Sequence, residues 1–185
     1  MSWTASISGV EEVAEAGRLA IRAAGPKDVV ERCRPIFQAL GHRMTYVGAL
    51  GNAKLTKTAT AMLSAIETMA TVEVFRWVMR FGISADAFHD VLKDIQSYSE
   101  SRQRTAEKIV SGQFKPRKSW MPKDIGFGLA LAEEEGIPLP FTALAKQLFL
   151  VGQSRGVDGY EASGIAWKVY ELLHGESQMR QNNPS

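Results

Sequence analysis

Cysteine is almost missing from this 185-residue sequence, where Cys33 stands alone. An internal disulfide is therefore excluded, and the chain suits a reducing compartment. Val29, Val30 and Ile36 share the helical pattern around Cys33, so the thiol reads as a packed structural group rather than a nucleophile. Histidine is nearly as scarce. His42, His89 and His174 fall in separate elements with no paired ligand one helical turn away, so no metal site is expected. Neither sign of charge prevails: 22 lysines and arginines meet 20 acidic residues, a formal +2, which implies no nucleic-acid and no membrane partner. No apolar run reaches the roughly 18–20 residues of a spanning helix. The first residues lack a signal-peptide pattern, and a cytoplasmic location is expected. No serine sits in a nucleophile elbow, and no carboxylate pair stands out.

Proline and glycine are both absent from Asn52 to Phe81. Apolar residues recur there at Leu55, Ala59, Met62, Ile66, Met69, Val74, Trp77, Val78 and Phe81, which is helical spacing. The helix would be roughly 45 Å long, a central pillar apolar on nearly all sides. Lys57, Thr60, Ser64, Thr68 and Thr71 follow at three- and four-residue steps and share one face. The hydroxyl residues read as small side chains that allow close helix packing. Lys57 is different, because an ammonium at the buried end of such a helix needs a partner or a task.

Ahead of the pillar, 18–24 and 44–47 read as strands flanking a helix from Pro26 to Leu40, the grammar of an α/β sheet. So few strands do not make a stable sheet alone. Behind it, helices are predicted over 85–93 with Ser84 as N-cap, over 99–111 closed by Gly112, from Pro122 to Glu135, over 141–155, and over 160–173 with Asp158 as a possible cap. Arg102, Arg104, Lys108, Lys115, Arg117 and Lys118 form the most basic stretch, read as a solvated face balanced by Glu100 and Glu107. Lys123 falls in the first turn of its helix, where the dipole disfavours a cation.

Three segments together resemble the β-hydroxyacid dehydrogenases, the family of 3-hydroxyisobutyrate dehydrogenase, with 6-phosphogluconate dehydrogenase as a more distant relative. Gly48, Gly51 and Lys57 fall on the pattern G-x-x-G-x-G-x-x-x-K-x-x-x-N, with Ala53 for its third glycine and Ala61 for its asparagine. Ala5-Ser6-Ile7-Ser8-Gly9 is similar to A-P-V-S-G-G, with Val10 in place of the second glycine. Met121-Pro122-Lys123-Asp124-Ile125-Gly126 is similar to the family's K-D-L segment. The resemblance implies a mainly α fold: a multi-helical 6-phosphogluconate dehydrogenase C-terminal-like domain around one long central helix, preceded by a short α/β remnant of a Rossmann domain. It implies Lys57 as general acid/base, Ser8 and Gly9 as binders of the substrate carboxylate, and Lys123 beside the cofactor, NAD or NADP. The implied substrate is a small 3-hydroxy acid, and the implied assembly a homodimer or higher homo-oligomer formed through the helical domain. Ala61 removes an amide one turn beyond the lysine, which should change the substrate that fits.

A dinucleotide fold needs G-x-G-x-x-G after a strand, and this sequence contains none. The expected organisation is a nucleotide-domain remnant over residues 1–49, an all-helical substrate and dimerisation domain over 50–176, and a flexible tail over 177–185. The expected function is the C-terminal portion of an NAD(P)-dependent oxidoreductase. Two alternatives stand beside it: a non-catalytic helical dimerisation module, and a binding protein for a small carboxylic acid.

Overall fold

A computed structural model describes residues 2–9 and 11–174. Val10 and the tail expected over 177–185 lie outside them. Among the described residues the chain forms nine helices and three strands, a mainly α fold with one small sheet. It divides into two compact units, Met1–Ala61 and Met62–Ser185, and each is described by itself.

In the first unit, β1 (Thr4–Ser8) pairs antiparallel with β2 (Ala20–Ala24), and β2 pairs parallel with β3 (Arg43–Tyr46). The strand–helix–strand reading survives as β2 and β3, but β1 and the short helix α1 (Glu11–Glu15) are additions that it did not contain. The helix expected over 26–40 is two: α2 (Lys27–Arg32) and α3 (Arg34–Leu40), parted at Cys33. Pro35 is the physical reason. It has no N–H to continue the ladder, yet costs nothing in the first turn of a new helix, where that donor would be an orphan. Ile21, Ala23, Val30 and Phe37 form the small core, with Cys33, Met44 and Tyr46 packed against it. Cys33 is half-buried rather than sealed.

The long helix α4 runs Asn52–Arg80, one residue short of the expected end. Its Thr60 and Thr71 hydroxyls donate to the carbonyls of Lys57 (2.8 Å) and Glu67 (2.6 Å), so these polar groups are satisfied within the helix itself.

In the second unit, Ala65, Met69, Val72 and Phe75 form the buried stripe of α4, with Phe75 edge-on to Phe88 at 4.9 Å. Full burial of a side chain such as Phe75 stabilises by about 1.5–3 kcal/mol. The helices α5 (Ala85–Lys93), α6 (Glu100–Ser111), α7 (Met121–Glu134), α8 (Pro140–Ser154) and α9 (Ala162–His174) complete it. Ser84 caps α5 by accepting from the Ala87 N–H, and Gly112 closes α6 in the left-handed region at φ 65°. At the start of α9 it is Glu161, not Asp158, that stands before the first turn. Buried to 6% exposure, Glu161 accepts 2.6 Å from the Lys108 ammonium and 3.3 Å from the Lys115 N–H. In the basic stretch, Arg104 pairs with Glu100, one of the two acids expected to balance it, while Lys108 pairs with the buried Glu161, which the sequence reading did not name.

Helices α8 and α9 meet so closely at Gly152 that an added Cβ would lie 2.7 Å from Ile165 Cγ2. Ile165 is 1% exposed and branched at Cβ, so it cannot retreat. Gly152→Ala should therefore destabilise by about 1–2 kcal/mol, overpacking outweighing alanine's helix propensity. Gly126→Ala in α7, where a Cβ would meet only the tip of Lys146 at 3.6 Å, should instead be neutral or stabilising. Urea midpoints of the two variants check the contrast, and a stabilising Gly152→Ala would contradict the packing argument.

Candidate functional site

The sheet of the first unit brings Ser6, Ser8 and Arg22 onto one face, and Ser6 ties that face to the opening turn of α4. Strand register starts the construction. Ser6 stands opposite Arg22, and Ser8 opposite Ala20, so Ser6, Ser8 and Arg22 share a face of the sheet. The Arg22 guanidinium reaches diagonally across it and donates 2.6 Å to Ser8 Oγ. Ser6 Oγ donates 2.6 Å to the Ala53 carbonyl in the first turn of α4. Lys57 lies one turn beyond Ala53 and so on the same side of the helix.

The turn that delivers α4 is held from several directions. Gly48 and Gly51 adopt φ of 89° and 97°, which side chains rarely tolerate, between β3 and the helix. Asn52 Nδ2 donates 2.8 Å to the Val47 carbonyl, and the Gly25 N–H donates 2.8 Å to Gly48. These bonds set where the first turns of α4, and hence Lys57, begin.

Lys57 is half-buried, and among the described residues its ammonium has no hydrogen-bond or ion-pair partner. Ser8 is half-buried at the end of β1, with its hydroxyl accepting from Arg22. Gly9 follows with φ 152°, and a Cβ there would meet Leu19 Cδ2 at 2.7 Å and Val13 Cγ1 at 2.9 Å. Bare backbone is the only fit at Gly9. A guanidinium, a hydroxyl and exposed backbone therefore meet at the end of β1.

Ser6 and Arg22 were not singled out from the sequence. Arg22 carried a signal, being a charge inside the apolar run Ala20-Ile21-Arg22-Ala23-Ala24. Ser6 carried none, because its role depends on which strand face meets the helix.

Lys123 stands in the other unit, in the first turn of α7. It is exposed, and its ammonium lies 5.9 Å over the Trp120 ring and 6.0 Å over that of Phe127. The rings offset the unfavourable helix dipole and give this lysine a local reason for its place.

A polar cluster of the second unit joins α4 to α9. Arg76, only 7% exposed, stacks 4.9 Å over Trp167, whose Nε1 donates 2.8 Å to Glu171. Burial pushes the guanidinium below its usual range, while Glu171 opposes that shift. The Tyr170 hydroxyl donates to Glu73; burial, then this bond, push the phenol well above its usual range.

Residues 51–167 match the family described as NAD-binding of NADP-dependent 3-hydroxyisobutyrate dehydrogenase. Residues 3–48 match that described as the NAD binding domain of 6-phosphogluconate dehydrogenase. The chain is 28% identical over 163 residues to the cytokine-like nuclear factor N-PAC of Aedes aegypti, covering 87% of this chain and 29% of that protein. It is 27% identical over 176 residues to 2-(hydroxymethyl)glutarate dehydrogenase of Eubacterium barkeri, covering 94% and 58%. Among solved structures, 3-hydroxyisobutyrate dehydrogenase of Mycobacterium tuberculosis, determined with L-serine, superposes with a TM-score of 0.81 at 20% identity, over 90% of this chain and 60% of that one. The chain thus spans between about a third and three fifths of the length of these relatives. With more than half of its residues matched to one family description, and in the order that its three segments announced, the chain belongs to the β-hydroxyacid dehydrogenases.

Proposed function

We propose that this chain is the C-terminal portion of an NAD(P)-dependent oxidoreductase acting on a small 3-hydroxy acid, with Lys57 as its general acid/base. The observation that supports this reading is the half-buried Lys57 ammonium, without a partner among the described residues, one turn beyond the Ala53 carbonyl that accepts from Ser6, while Ser6 shares its sheet face with the Ser8–Arg22 pair. The domain bounds proposed are 1–49 for the end of the nucleotide-binding domain and 50–176 for the helical substrate domain.

The residues present suit one end of a nicotinamide cofactor and not the other. Lys57 is available to the reacting group, and exposed Lys123 is proposed to border the nicotinamide end. A pyrophosphate cradle is lacking, since no G-x-G-x-x-G occurs in the sequence. Turnover therefore calls for a nucleotide-binding domain beyond these residues. A bound nicotinamide supplies the hydride acceptor, or in reverse the donor. Lys57, as the free amine, takes the proton of the substrate hydroxyl. In the reducing direction its ammonium polarises the carbonyl and returns that proton. Arg22 and Ser8 orient the carboxylate, and Gly9 lets its backbone approach closely. Ala61 leaves room one turn beyond Lys57, which favours a substrate different from that of relatives with an amide there. The test is hydroxy-acid-dependent change of nicotinamide absorbance in a form that carries the nucleotide-binding domain, with Lys57→Met as the decisive variant.

A second reading, assembly through the helices, has its own observation. Leu63, Val74 and Trp77 follow one stripe of α4, Phe81 directly follows the helix, and the four are 64%, 43%, 60% and 69% exposed. An apolar stripe of this kind marks an interface, and a second copy of the chain is the occupant that the homo-oligomer reading commits to. Trp77→Glu with Phe81→Glu should reduce the mass in light scattering to that of a single chain. Wild-type protein that is already monomeric at high concentration would overturn the assembly.

A further inference from the structure

The sheet of the first unit has a covered face and an open one. Ile21 and Ala23 take the covered face, buried among Val30 and Phe37, and Met44 and Tyr46 join them from β3. Strand alternation sends their neighbours the other way. On that open face Ala20 stands between Ser8 and Arg43, and Arg22 between Ser6 and Thr45. The strand positions of this face hold two guanidiniums and no carboxylate. Cross-strand pairs of opposite charge would ordinarily balance such groups. Here neither arginine has an acidic partner among the described residues.

The donors of this face are free to act. Arg22 commits one N–H to Ser8 Oγ at 2.6 Å, and none of its other nitrogens is a buried atom without a partner, so the rest of the fork stays accessible. Ser8 accepts from Arg22 and thus keeps its own proton for another acceptor. Between Ser8 and Arg43, Ala20 carries only a methyl. Neighbouring strands stand about 4.8 Å apart, so a notch about 10 Å wide from β1 to β3 is floored by that methyl. Arg43 is exposed at its far side.

We propose that this notch binds a small acid with two oxyanionic groups, one held by the Arg22 fork and the Ser8 hydroxyl, the other by Arg43, with the connecting carbons over Ala20. A guanidinium presents paired N–H donors that match a carboxylate or a phosphate, and the second group supplies the negative charge that Arg43 lacks on the sheet. Resting on the dehydrogenase reading above, the inference makes the substrate a 3-hydroxy acid with a second anionic end rather than a monocarboxylate.

The experiment titrates the full chain with glutarate, 3-phosphonopropionate and butyrate at low ionic strength, following the backbone amides of Ser8, Ala20 and Arg43 by NMR. The two diacids should give saturable shifts at these amides and bind about tenfold tighter than butyrate, the contribution of one further charge-assisted contact. Whichever diacid binds tighter identifies the second group as a carboxylate or a phosphate. Arg43→Gln should bring both diacids close to butyrate, whereas Arg22→Gln should weaken all three. In the form that carries the nucleotide-binding domain, 3-hydroxyglutarate should exceed 3-hydroxybutyrate in kcat/KM, and Arg43→Gln should remove that preference. Absence of saturable shifts overturns the site. Equal affinity for the diacids and butyrate, or a preference that survives in Arg43→Gln, overturns the second contact. Turnover of both hydroxy acids without preference overturns the substrate class and leaves the dehydrogenase reading standing. Diacid binding at the notch with turnover of neither overturns that reading and leaves the binding site standing.

Discussion

Replacing Lys57 by methionine in the turnover-competent protein should lower kcat by about 10²–10⁴-fold, the usual contribution of a positioned acid/base. That corresponds to roughly 3–5 kcal/mol of lost transition-state stabilisation. Methionine keeps an unbranched stem along the helix surface, so the substitution isolates the ammonium from the packing of its carbons. Folding should be unaffected, because no residue described here depends on that ammonium for a bond. KM should change little if the proton transfer belongs to the transition state alone. A variant that raises KM and leaves kcat intact would make Lys57 a binding cation for the carboxylate instead. Retention of both parameters would remove it from the site.

Lys108→Met should destabilise the fold by about 3 kcal/mol, more than removal of its partner's charge. The asymmetry follows from burial. The Glu161 side chain is 7% exposed and that of Lys108 32%. Without the lysine, a buried carboxylate keeps, among the described residues, only the Lys115 N–H, and stranding a buried charge costs about 3–5 kcal/mol. The lower figure is appropriate because water reaches the side from which Lys108 approaches. Glu161→Gln should cost only about 1 kcal/mol, since the amide oxygen can still accept from Lys115 and the freed ammonium turns to solvent. The double variant should then be more stable than Lys108→Met alone, a coupling that urea midpoints at constant m-value would reveal. If Lys108→Met costs less than Glu161→Gln, the pair behaves as a surface contact.

These two residues also show where sequence reasoning reached and where it stopped. Lys57 was legible because its element was: a run from Asn52 without proline or glycine admits only a helix, and the glycines at 48 and 51 mark its beginning. Ser84 and Gly112 were legible for the same local reason, since a cap is chosen within one turn. The partner of Lys108 was not. Glu107 is adjacent in sequence, whereas Glu161 is brought near only by packing of α6 against α9. Likewise, the Arg22–Ser8 bond depends on a strand register. The break at Cys33 had its signal in Pro35, and apolar periodicity across both halves concealed it. On α4 periodicity misled in another way. Met69 and Val78 became core while Trp77 and Phe81 stayed exposed, because apolar spacing marks a helix without saying which of its faces the other helices cover.

The surroundings of Trp167 have an optical consequence. Its indole stacks at 6.0 Å on Phe114 and lies under the Arg76 guanidinium. Trp3, Trp77 and Trp120 are 40%, 60% and 67% exposed, so their emission is that of indoles in contact with water. Trp167 is the half-buried member of the four, placed where α9 meets α4. A chain retaining only this tryptophan would carry an intrinsic fluorophore for the melting of the helical unit, and one retaining only Trp77 would carry a dye that tests whether anything binds the exposed stripe.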